Sequence, residues 1–328
     1  IFTACSKDKE EVSATDDPSS TPEEPNCDTQ RTCASIDVLN TNMEKFPEIR
    51  DRMREIEEHT RNFIQRKRTF RTSAEASLNI EIPVVVNVLY NLESENISDE
   101  QIQSQIDVLN EDFNFLNEDK DNVPEEFMNS RANIGIHFSL AQIKRKHVSK
   151  VEWTPNDDMK STSKGGLNPV DPERNLNIWV INTFEPQFDT EECQETTLLG
   201  YAQFPGGPIQ TDGVVVTHLA FGRFGRLYAS KAKGRTTTHE VGHWLNLLHI
   251  WGDGDCEDDD FVADTPNSDE PNYGCPEYPT VHCGSNDMTM NFMDYTDDDC
   301  MYMFTKGQKD RIMALFDAGG ARESFVIN

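Results

Sequence analysis

The 328-residue sequence has no run of about 18 apolar residues, so it offers no apolar membrane-spanning helix; its most apolar stretch, residues 82–90 (IPVVVNVLY), has the length and β-branching of a buried strand. Basic residues are scarce, 30 Lys and Arg against 59 Asp and Glu, for a formal net charge of −29. Polyphosphate needs a basic footprint, so this balance excludes a nucleic-acid partner and suits calcium or a cationic substrate better. Hydrophobic residues are few, at 36%, and the deficit falls on the first stretch, where Ser, Asp, Glu, Pro and Lys dominate. That stretch is expected to be disordered, leaving room for one substantial domain with an N-terminal appendage. Cysteine is not lacking. There are eight, five of them at Cys193, Cys256, Cys275, Cys283 and Cys300, and they point to disulfides and an oxidising compartment.

Residues 1–4 read as the remnant of a signal peptide, and Thr3-Ala4-Cys5 resembles the acylation site of a bacterial lipoprotein; the alternative is a solvated tail with a chance cysteine. The expected location is therefore extracellular or on the outer cell surface, with a membrane reached only through a lipid at Cys5. Residues 5–26 read as an acidic tether. From 27 to 71 a helical segment is expected, since Ile36, Leu39, Met43, Phe46, Ile49, Met53, Ile56 and Phe63 recur mostly every three or four residues, with a break at Pro47. The basic run 66–71 and the small, polar residues 72–77 are where processing would occur, and 72–328 form the main domain. There, strands at 80–90, 136–142, 176–182 and 213–218 and a helix at about 98–115, capped by Ser98, indicate an α+β fold with an α/β-type upper part.

The segment 238–249, THEVGHWLNLLH, carries the chemistry. His239 and His243 lie one helical turn apart on one face, which lets both imidazoles reach a single metal ion, and Glu240 beside them can take a proton from metal-bound water. Were the helix to continue, His249 would lie about 9 Å further along and off that face, so the chain must turn. The turn falls at Asn246, where the long motif of the metzincin metalloproteases has Gly; Asn is the non-glycine residue that best tolerates the left-handed conformation. The competing reading has all three histidines as packed or surface side chains, and His218 and His282 are weaker candidates, His218 for a structural role. Downstream, Met293 in the segment NFMDY (291–295) is placed to be the methionine that metzincins set in a tight turn beneath the metal.

These pieces, with VADTP (262–266), LNIWV (176–180) and residues 199–222 and 298–305, resemble the pappalysin family of metzincins and its cytophagalysin-like bacterial members over roughly residues 78–320. The resemblance implies a mixed twisted sheet and zinc helix above a substrate cleft, with an irregular C-terminal subdomain below. It implies a zinc metalloendopeptidase acting on protein or peptide substrates, in which Tyr295 stabilises the oxyanion of the scissile carbonyl. It implies calcium in the acidic loop 253–260, with Asp253, Asp264 and Thr265 as ligands, against the plainer reading of an acidic surface loop. Of the three connectivities open to four cysteines, it favours Cys256 with Cys283 and Cys275 with Cys300.

Residues 30–34, QRTCA, resemble the family's latency motif, whose cysteine ligates the zinc; here Ala34 stands where Gly is more usual. Cys33 is thus expected on the zinc of a zymogen, the alternative being a disulfide with Cys27 or Cys193. Activation then needs a cut between residues 65 and 77, and the carboxylates Asp297–Asp299 would favour a cationic substrate side chain if one reached the specificity pocket. Two other functions fit less well: an inactive, calcium-stabilised binding module with the protease fold, which would have no need of Glu240, and a zinc hydrolase of non-peptide amides.

Overall fold

The computed structural model describes residues 31–69, 80–185, 187–188 and 195–326. The readings placed on residues 1–30, on the 70–77 stretch and on Cys5, Cys27 and Cys193 lie outside these residues. The described residues open with strand β1 (Arg31–Cys33) and helices α1 (Ser35–Lys45) and α2 (Glu48–Thr69). The break between the helices falls at Phe46-Pro47, because proline lacks the donor that would continue α1 and disfavours a helical residue before it.

The core is built on β2 (Ile80–Tyr90), helix α3 (Asp99–Phe113) and strands β3 (Ile136–His147), β4 (Leu176–Ile181), β5 (Gln187–Phe188), β6 (Glu195–Ala202) and β7 (Val214–Thr217). The strand order is β1-β6-β7-β4-β2-β3, with β5 on β6. β2 pairs in parallel with β3 and β4, and β4 in parallel with β7, whereas β6 runs antiparallel to β7. The result is a mixed, mostly parallel sheet in an α+β fold. β2 lies inside that sheet, which is why its sequence is a continuous apolar run rather than an alternating one. Pro83 fits because the pairing to β4 starts only at Val84. α3 crosses from β2 to β3, its N-terminus capped by Ser98 Oγ, which accepts from Gln101 N at 3.2 Å.

Among the long strands of the sheet, two differ from expectation. β3 runs on to His147, paired to β2 as far as Tyr90↔His147. Its second half faces solvent with Lys144, Arg145 and Lys146, the residues that guard a sheet edge, and so carries no apolar signal. β6 was not expected as a strand at all; its sequence, ETTLLGYA, neither alternates nor forms an apolar run.

Below the sheet lie α4 (Arg235–Trp244), an irregular region with the short strands β8 (Tyr273–Gly274), β9 (Val281–His282), β10 (Ser285–Asn286) and β11 (Tyr295–Thr296), and α5 (Lys306–Ala314). Disulfides Cys256–Cys283 and Cys275–Cys300 tie this region together, the pairing that the resemblance implies. The N-terminal segment packs on this body at two places. β1 extends the sheet on β6, and α2 lies along α5, where Lys67 meets Asp310 at 2.8 Å and Arg311 meets Glu57 at 3.0 Å.

With little secondary structure between Leu245 and Thr305, the two disulfides carry an unusual share of that region's order. Replacing either pair by serines should lower unfolding free energy by about 2–4 kcal/mol in denaturant titration, the usual value for closing loops of this size. A loss below about 0.5 kcal/mol would show that packing alone holds the region.

Candidate metal centre and active site

α4 carries the first two histidines, and its start is fixed from outside the helix. Asp298 Oδ2 accepts the backbone N–H groups of Lys233 and Arg235, each at 3.0 Å, and so supplies a cap that Gly234 cannot. Arg235 forks onto Asp119 at 2.6 and 2.7 Å. Thr238 Oγ1 donates to Asp112 at 2.7 Å; burial raises the Asp112 carboxyl to about 6, opposed by the Arg235 charge and the Thr238 bond. α4 is thereby pinned to α3, and every one of its residues is buried.

The helix ends at the turn required by the third histidine. Asn246 has φ +69°, its N–H donates to His243 O at 2.9 Å, and Leu247 N donates to Gly242 O at 3.0 Å. The chain then folds back so that His249 faces the other two. The Nε2 atoms of His239 and His249 each lie 3.1 Å from Nε2 of His243. The Nδ1 atoms are all occupied on the far side of the rings. His239 donates to Phe292 O and His243 to Leu247 O, each at 2.8 Å, and His249 to Asp253 Oδ1 at 2.5 Å. An acceptor at each Nδ1 places the proton there and leaves the three Nε2 lone pairs aimed at one point.

Three lone pairs this close repel one another unless a cation lies between them. Cys33 Sγ completes the group: it and the three imidazole nitrogens lie within 4.8 Å of one another. Three imidazoles and a thiol are the donor set that suits a four-coordinate zinc ion, so the residues present fit the metal that the motif implies. Burial, followed by the charge of Glu240, pushes the Cys33 thiol well up, and a cation among the rings is what would favour its thiolate.

β1 delivers that cysteine. Its pairing with β6 sets Cys33 opposite Gly200, where a side chain could not fit, since a Cβ there would lie 2.8 Å from Val215 O and 3.0 Å from Glu240 Oε1. Glu240 Oε2 receives Ser35 Oγ–H at 3.0 Å and lies 3.2 Å from Cys33 Sγ. The Tyr295 hydroxyl accepts from Cys33 N and donates to Cys33 O, each at 3.3 Å, and the ring lies 4.9 Å from that of His249. Burial holds the phenol well above its usual range, so it is a proton donor.

Met293 packs beneath the helix at Gly242, where a Cβ would come within 2.4 Å of its Sδ. Its turn is held by Asn291 Oδ1, which accepts from Met293 N at 2.9 Å, and by a reciprocal amide pair between Asn291 and Gln308 at 3.0 Å. The same turn presents the Phe292 carbonyl to His239.

Each of the residues expected to share calcium has a partner within the protein. Asp253 is bonded to His249; Asp264 accepts from Gly307 N at 3.1 Å and Thr305 Oγ1 at 2.7 Å at the start of α5; Thr265 Oγ1 bonds Asp260 at 2.9 Å. Among the described residues, neither Asp253 nor Asp264 belongs to a His, Cys, Asp or Glu group close enough to share an ion. Asp297 and Asp299 pair with Lys231 and Lys233 at 2.6 and 2.8 Å, and Asp298 caps α4. His218 bonds Asn182 O, and His282 pairs with Asp287 and Glu270, both outside the metal group. The sequence reading missed Ser35, Trp251, which stacks on His249 at 4.3 Å, and the cap from Asp298.

The turn at Asn246 has a direct test. Asn246→Gly should leave thermal stability and metal content nearly unchanged, whereas Asn246→Val forces a β-branched residue into the left-handed region and should cost about 1–2 kcal/mol or more, with loss of metal. Equal tolerance of both would show that the turn does not set His249.

A family model described as pregnancy-associated plasma protein-A, peptidase M43, matches residues 169–317. An extracellular metalloprotease of Arthroderma benhamiae is 31% identical over 251 residues, 73% of this chain and 79% of its own length. The solved structure of mature mirolysin from Tannerella forsythia, in complex with a cleaved peptide, is 46% identical with a TM-score of 0.70 over 76% of this chain and 96% of its own. A promirolysin mutant from the same organism is 40% identical with a TM-score of 0.75 over 90% of this chain and 97% of its own. On this identity and coverage, the chain belongs to the pappalysin family of metzincin metalloproteases.

Proposed function

We propose that the chain is a latent zinc endopeptidase acting outside the cell, with zinc held by His239, His243 and His249 and with Cys33 as the fourth ligand until the N-terminal segment leaves. The single observation that supports this best is the convergence of three Nε2 lone pairs and one thiol beside a buried glutamate. When bound, zinc supplies a Lewis acid that polarises a carbonyl and acidifies water.

The side chains supply the rest. Glu240 takes the proton of the attacking water and passes it to the leaving amine, which its place one residue after His239 allows. Tyr295 donates to the substrate carbonyl oxygen as charge develops there. In the latent form that hydroxyl is engaged by the Cys33 backbone, so the N-terminal segment occupies groups the reaction needs.

Ser35 strengthens this block. A thiolate and a carboxylate 3.2 Å apart repel, and Ser35 donates to both, by its N–H to Cys33 Sγ at 3.4 Å and by its hydroxyl to Glu240 Oε2 at 3.0 Å. The same hydroxyl accepts from Ala202 N at 2.8 Å, which ties the arrangement to β6.

Residues 27–71 act in this reading as the prosegment and 72–328 as the protease. It is supported by the wider match to promirolysin, 90% of the chain against 76% for the mature form. Peptide substrates are supported by the cleaved peptide bound to mature mirolysin, and an extracellular site by the names of the fungal relatives and by the two disulfides.

Digestion of a protein substrate followed by mass spectrometry tests the roles. Glu240→Ala should lose about 100- to 10,000-fold in rate, the usual range for a general base. Cys33→Ala should be active before any cut, and Ser35→Ala should leak at an intermediate level, with mature enzymes indistinguishable from wild type. An active Glu240→Ala protein, or a Cys33→Ala protein as silent as the parent, would contradict the reading.

A further inference from the structure

The three metal-facing imidazoles are not held alike. His239 and His243 sit in α4, one turn apart, and their Nδ1–H groups are received by the backbone carbonyls of Phe292 and Leu247. His249 lies beyond the helix, in chain without regular structure, and its Nδ1–H is received by a side-chain carboxylate, Asp253 Oδ1. That carboxylate is brought round by two successive left-handed residues, Gly252 at φ +66° and Asp253 itself at φ +59°. On the ring's face, Trp251 stacks with an interplanar angle of 5°.

We infer that Asp253 is a positioning residue for the metal, fixing the tautomer and in-plane orientation of His249 and increasing the electron density at its Nε2. The inference rests on the metal-centre reading above, and it gives Asp253 a role other than the calcium ligation its sequence context suggests. Stacking on Trp251 fixes the plane of the ring but leaves it free to turn within that plane, and the hydrogen bond at Nδ1 removes that freedom. A carboxylate also does what a carbonyl cannot: its full negative charge strengthens the ring as a donor to a cation. The ligand that lacks helical support is thus the one given a charged partner.

The test measures zinc affinity by competition with a chromophoric chelator, on the full chain carrying Glu240→Ala, to prevent self-digestion, and Cys33→Ala, so that the three imidazoles hold the ion without the thiol. Asp253→Gly and Asp253→Asn are compared, since both residues tolerate the left-handed backbone and an alanine would not. The glycine variant should bind zinc about 10- to 100-fold more weakly. The asparagine variant, which keeps an oxygen acceptor but no charge, should fall between it and the parent. The metal-free unfolding temperature should be the same in all three. Zinc affinity of the glycine variant within twofold of the parent would overturn the inference, as would a fall in metal-free stability that tracks the loss of affinity, which would mark a merely structural role. If the parent itself holds no zinc, the metal-centre reading falls and this inference falls with it.

Discussion

Three imidazole lone pairs facing one another at about hydrogen-bonding distance form an arrangement that only a cation relieves, and much of the surrounding structure exists to enforce it. Each ring is held from behind by an acceptor: the Phe292 carbonyl, the Leu247 carbonyl and the Asp253 carboxylate. Two of these acceptors exist because of turns. The left-handed Asn246 brings the Leu247 carbonyl back under His243, and the Met293 turn aims the Phe292 carbonyl at His239. The methionine in turn needs the bare backbone of Gly242 to pack against. Metal ligation, the helix end and the lower subdomain are therefore one packing problem, and two disulfides tie together residues 256–300 of that subdomain.

The N-terminal segment uses this arrangement rather than covering it at a distance. Its strand joins β6, the sheet's one antiparallel member among the long strands, so that Cys33, Ser35 and the Cys33 backbone meet the imidazoles, Glu240 and Tyr295 respectively. Its second helix is secured on α5 by the Arg311–Glu57 and Lys67–Asp310 pairs. Partly exposed ion pairs contribute little individually.

Legibility followed the range of the interactions. The Ser98 cap, the break at Pro47, the buried strand β2 and the turn at Asn246 are set within a few residues, and the sequence displays them. The three histidines are displayed as well, since a helical turn and a tight reversal bring them together. What the sequence hides is partnership over long range. Asp298 caps a helix that starts 63 residues earlier, and Ser35 reaches Glu240 across 205 residues. Neither leaves a local pattern. The acidic residues were the hardest to read, because a carboxylate looks the same whether it binds calcium, caps a helix as Asp264 does, or receives the N–H of a histidine as Asp253 does. The α5 start was readable in retrospect, as Thr305 and Gln308 form a capping box whose spacing is a known signal.

X-ray absorption at the zinc edge of the intact, uncut chain tests the central claim most directly. The account predicts one sulfur at about 2.3 Å and three nitrogens at about 2.0–2.1 Å, with the sulfur shell lost in Cys33→Ala. A zinc environment of nitrogen and oxygen alone in the intact chain would contradict it.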